Sequence, residues 1–94
     1  MLKKNDELLI MKNKAERFIT SLPKKLQSNS LYSQYIRIMG NYINSQLLSF
    51  NIKEALTCSA EVKTRIEKYG NTDAFMAFYY NYFMSKSFLK SFNE

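Results

Sequence analysis

The chain has 94 residues, 46% of them hydrophobic, with two Gly, one Pro and a net charge of +6. That length supports one small domain, and the ordinary apolar fraction argues against disorder. So few turn formers argue against an all-β design, and the lack of histidine removes the commonest acid/base group and metal ligand.

The positive charge gathers near the N-terminus. Lys3, Lys4, Lys12, Lys14, Arg17, Lys24 and Lys25 stand there against Asp6, Glu7 and Glu16. Such an excess attracts nucleic acid, anionic lipid or acidic protein, although in a Lys-rich chain solubility is the simpler reading. Cys58 is the single cysteine, so no internal disulfide forms, which fits a reducing compartment. No stretch approaches 18 apolar residues, and the opening segment lacks the apolar core and small-residue cleavage site of a secretory signal. A cytoplasmic protein with no transmembrane segment is expected.

The first predicted helix covers residues 6–22. Asn5 suits an N-cap, and Asp6 and Glu7 suit the positive end of the helix dipole. Leu8, Met11, Ala15, Phe18 and Leu22 recur at spacings of three and four and make one apolar stripe. Pro23 ends the run, because the residue before proline avoids the α region. A polar linker follows, in which Leu26 offers the one apolar contact.

The second helix is expected over residues 31–48, capped by Ser30. Tyr32, Tyr35, Ile36, Met39, Ile43 and Leu47 form its stripe, and Gly40 inside it suggests close approach of another helix. The third helix is expected over residues 52–69. Asn51 with Glu54 resembles a capping box. Ile52, Ala55, Leu56, Ser59, Val62, Ile66 and Tyr69 line one side, and Gly70 fits a left-handed C-terminal cap. Cys58 reads as a small buried hydrophobe, and Glu54, Glu61 and Glu67 among Lys53, Lys63, Arg65 and Lys68 read as a solvated face.

The fourth helix is expected over residues 72–92, with Thr72 as its cap. It holds more than half of the fourteen Phe and Tyr residues. Phe75, Phe78, Tyr82, Leu89 and Phe92 make one stripe, and Met76, Tyr79, Tyr80 and Phe83 make a second. One helix of a small domain buries both only if it is central. Otherwise the surplus is a contact surface for a partner.

The expected fold is therefore all-α: one domain spanning residues 1–94, with four helices. The last three pack as a helical hairpin array or a small bundle. No Gly-rich phosphate loop, no Ser-His-Asp or Cys-His set and no metal-ligand cluster stands out, so no catalytic residue, metal or cofactor is expected. A helix-turn-helix corner is absent, and nucleic acid is not an expected partner.

Asn51 to Leu56, with Gly40 in the preceding helix, resembles the second-helix opening of a tetratricopeptide-like unit. Leu22-Pro23, Asn51 to Leu56 and Asp73 to Ala77 together resemble the small helical co-chaperones of type III secretion needle subunits. That resemblance implies a cytoplasmic chaperone that masks the apolar helix of a small secreted protein, acting with a second small chaperone. It implies partner binding through Tyr35, Met39, Tyr42, Ile43, Met76, Tyr79, Tyr80 and Phe83. A rival resemblance, carried by Lys14 to Leu22 and Leu47 to Ile52, is to the bacteriocin immunity proteins. It implies protection of a producer cell, with peripheral membrane contact. A small nucleic-acid-associated regulator is the third reading.

Overall fold

The computed structural model describes residues 4–70 and Lys86. These residues are all-α. Helix α1 runs Lys4–Ser21, a 3-10 turn Lys24–Leu26, helix α2 Asn29–Leu48 and helix α3 Ile52–Tyr69. Both α1 and α3 pack on α2. The pairing is antiparallel at each seam. Lys12 lies over the Tyr42 ring, whereas Ile19 shares a cleft with Tyr32. Across the other seam Tyr69 bonds to Asn29, and Arg65 to Tyr35.

The central helix forms where its apolar spacing requires. Tyr32, Tyr35, Ile36, Met39, Ile43 and Leu47 are all buried, as is Gly40, and Tyr42 joins them. From α3 the core receives Ile52, Ala55, Cys58, Val62 and Ile66, and from α1 only Ile19. The expected α3 boundaries match the helix, and Gly70 closes it in the left-handed region at φ 81°. No helix among the described residues is long and apolar enough to cross a membrane.

Several local expectations are corrected. Helix α1 begins at Lys4, so Asn5 lies inside it rather than capping it. Its inward face is also rotated. Leu8 and Ala15 pack against the core as expected, but Met11 and Phe18 are exposed and Ile19 is the fully buried residue. At α2 the cap is Ser28, not Ser30, because the Ser28 Oγ accepts the Leu31 N–H at 3.3 Å. Leu26 stays exposed.

The capping box at Asn51 does not form. Asn51 is the N-cap of α3, but its side chain makes no capping bond. Instead Nδ2 donates to Oε1 of Gln46 at 2.8 Å. Backbone bonds from Phe50 N–H to Leu47 C=O and from Asn51 N–H to Gln46 C=O close the end of α2 as a Schellman motif. That motif places Phe50 at φ 58°, in the region where glycine is at home. A bulky side chain there costs about 1–2 kcal/mol. The amide–amide bond between Gln46 and Asn51 takes the place of the hydrophobic contact that usually accompanies the motif.

Most of the fourth-helix segment, including Phe75, Tyr82 and Phe92, lies outside the described residues. Lys86 is helical, and its Nζ donates to Asn44 Oδ1 on α2 at 3.0 Å.

Candidate partner-binding groove

The rotation of α1 has a direct consequence for the surface. An apolar stripe that is read as wholly inward straddles the seam instead. Ile19 goes into the core, while Met11 and Phe18 stand on the rim at 47% and 52% exposure. Opposite them α2 presents Leu31 and Ile38, both half-buried. Between these walls lies a groove of about 320 Å³, floored by Ala15, Ile19 and Tyr35. Among the described residues, Lys14 and Gln34 are the only ones around it without an apolar or aromatic side chain. Leu9 and Ile10 are also exposed, but they lie on other faces of α1 and do not line the groove.

The residues expected to bind a partner fall into two sets. Tyr35, Met39, Tyr42 and Ile43 are at most 3% exposed and belong to the core. Of these only Tyr35 reaches the groove, as part of its floor. In this conformation the other three offer a partner almost no surface. Met76, Tyr79, Tyr80 and Phe83 lie outside the described residues. The groove residues Leu31 and Ile38 carried no signal in the sequence, since neither belongs to the principal stripe of α2. Met11 and Phe18 did carry one, but it pointed inward.

A charged network occupies the inward side of α1. Lys12 and Glu16 lie on its inward side and pair at 3.1 Å. The Lys12 ammonium sits 5.5 Å from the centre of the Tyr42 ring, a cation–π contact. Arg65 reaches across from α3. Its Nη1 donates to the Tyr35 hydroxyl at 2.8 Å and lies 3.7 Å from Glu16 Oε1. Glu16 Oε1 is fully enclosed and makes no directed hydrogen bond, so the two cations hold it by charge. Arg65 and Glu61 are half-buried, which corrects the expectation that the α3 charges form one solvated face.

These groups also shift one another. Burial pushes the Tyr35 phenol from 10.0 up to about 12, against the opposing pull of Arg65. Tyr42 is pushed up by burial and by the Glu54 charge. Burial works to lower Lys12, but its pairing with Glu16 and the other acidic groups around it, Glu61 among them, together outweigh that and leave it raised.

The ligand atoms of Glu16, Cys58 and Glu61 lie within 4.8 Å of one another, a spacing a metal ion could bridge. The chemistry argues otherwise. The Lys12 ammonium already neutralises Glu16. The Cys58 thiol, only 1% exposed, is pushed by burial from 9.0 up to about 12 and stays protonated at neutral pH. A protonated thiol is neither a good ligand nor a good nucleophile. The cluster is a structural ion-pair network, and the groove is the better functional candidate. No family model matches this chain, and no characterised protein or solved structure is similar enough to count as a relative.

Proposed function

We propose that this chain is a non-enzymatic protein-binding module that receives one apolar face of a partner helix. The observation that carries the reading is the groove between α1 and α2, with Phe18 and Met11 exposed along its rim. Contiguous exposed apolar surface of this kind usually marks an interaction site. A helix docks in such a groove through side chains at i, i+3, i+4 and i+7. The resemblance to needle-subunit co-chaperones narrows the partner to a small secreted helical protein, held by its apolar helix until export. Tyr35 contributes as the floor of the site, and the contact residues are Met11, Phe18, Leu31 and Ile38.

A photoreactive phenylalanine analogue at position 18, followed by peptide mapping of the adducts, tests this in the native host. Adducts clustered on one apolar helix face of a single small protein are expected. Phe18→Asp is expected to weaken that association about tenfold or more, as for a central interface aromatic, with circular dichroism unchanged. Association that survives both Phe18→Asp and Met11→Asp rules the groove out. Adducts to a toxin-bound permease would move the assignment to immunity.

A further inference from the structure

Ile19 separates the apolar groove from a second recess of different chemistry. This cleft of about 420 Å³ lies among the end of α1, the 3-10 turn and the last turns of α3. Tyr32 and Tyr69 wall it, stacked at 4.0 Å between ring centres and 13° from parallel. The Tyr69 hydroxyl donates to Asn29 Oδ1 at 2.7 Å, which holds the stack in place. Lys24 comes from the turn, and Arg65 and Lys68 from α3. Among the described residues, no carboxylate lines the cleft and neither lysine is in an ion pair.

The donors define the ligand. The Thr20 hydroxyl is donated to the Glu16 carbonyl at 2.7 Å, and that of Thr64 to the Ala60 carbonyl at 2.9 Å. Both are spent on their own helices, so among the described residues a neutral polyhydroxylated ligand would find few neutral partners and almost no free acceptors. Arg65 uses Nη1 on Tyr35 but keeps other N–H groups of its five. Among the described residues, the Gln27 side chain makes one long bond, Nε2 donating to Leu22 C=O at 3.4 Å. What remains is cationic: two ammonium groups with no ion pair among the described residues, and part of a guanidinium fork. That set matches a compact dianion. The volume lies within the range of small-molecule sites, roughly 300–1,000 Å³.

We propose that this cleft binds a small phosphate-bearing molecule, with the phosphoryl group held by Lys24, Lys68 and the outer edge of Arg65. The site is separate from the groove and stands or falls independently of it. The competing account is that Arg65 and Lys68 merely offset the negative end of the α3 dipole.

Titration of the full chain with sodium pyrophosphate at low chloride, by amide chemical shifts and calorimetry, tests the proposal. Saturable shifts at Gln27, Thr64, Lys68 and Tyr69 are expected. Lys24→Gln and Lys68→Gln should each raise the Kd about tenfold or more. Lys68→Arg should retain binding, and Lys53→Gln, exposed near the far end of α3, should leave it unchanged. The absence of saturable shifts overturns the proposal, as does equal weakening by Lys53→Gln. A response only to extended polyanions, tested with heparin and phosphatidylglycerol vesicles, also overturns it. Loss of stability without loss of pyrophosphate affinity in Lys68→Gln assigns that lysine to the dipole instead.

Discussion

The two seams of this molecule are built on opposite plans. Between α2 and α3 the facing residues are mostly apolar: Ile36, Met39, Ile43 and Leu47 against Ala55, Cys58, Val62 and Ile66, all within one buried cluster. Between α1 and α2 an ion pair lies inward and apolar side chains lie at the rim. The first seam is closed mainly by the hydrophobic effect, with two polar bonds, Arg65 to Tyr35 and Tyr69 to Asn29, at one end. The second is a compromise, because Lys12 and Glu16 find partners in Tyr42 and Arg65 only if α1 turns that face inward. The same turn leaves Met11 and Phe18 in water. The difference teaches that a surface patch can be the geometric by-product of a satisfied internal charge. A patch made in that way remains available for use.

The largest expected effect comes from breaking the dry seam. Ile66 is fully buried, and Ile66→Ala should cost about 2–5 kcal/mol in denaturant unfolding. Phe18→Ala removes a larger side chain, yet should cost less than about 0.5 kcal/mol because it is half exposed. Equal costs would mean that the groove is closed in solution and that the two seams are alike.

Breaking the charged seam is the next test. Glu16→Ala leaves Lys12 and the inner edge of Arg65 facing each other and should cost about 1–3 kcal/mol. The double change Lys12→Met with Glu16→Leu removes both charges and should recover most of that loss. If the double variant also buries Phe18, seen as slower photoreaction or reduced dye binding, the ion pair is what sets the rotation of α1. If its groove is unchanged, the packing of Ile19 sets it.

The smallest effect near neutral pH, and a sharp one in alkali, concerns the protons buried around α2. Cys58 and Tyr35 both hold their protons more tightly folded than unfolded, up to about 12 in each case. Their contribution is therefore complete below the unfolded values, 9.0 for the thiol and 10.0 for the phenol. It is lost as pH rises toward 12. Stability should be flat through neutral pH and fall in that window. Cys58→Ala should delay the onset of the fall toward pH 10. An unchanged onset in that variant would show that the thiol is not desolvated.

The positions of the helices were largely legible in the sequence. Apolar spacing marked α2 and α3, Pro23 marked the break after α1, and Gly70 marked the end of α3. These are local properties: each depends on backbone conformation or on periodicity within a single segment. The caps are less legible. Ser28 and Ser30 are equally good caps in isolation, and Asn51 was drawn from its own helix by Gln46. That choice belongs to the corner as a whole, where Phe50 accepts an unfavourable φ so that two backbone bonds can close α2.

The site was legible only in outline. Tyr35, Met39, Tyr42 and Ile43 were recognisable as an apolar face, but a face that meets a neighbour and one that waits for a partner have the same pattern. Here that face is filled. The free apolar surface instead comes from Met11 and Phe18, displaced by charges whose partners lie elsewhere in the chain: Tyr42 thirty residues after Lys12, and Arg65 on a different helix from Glu16. By itself, then, the sequence determined an all-α chain and the course of α2 and α3, because periodicity and breakers act over a few residues. Tertiary structure alone decided which side of α1 faces inward, and with it the existence of both the groove and the basic cleft. The energy that settles that rotation is shared among side chains that only the fold brings within reach.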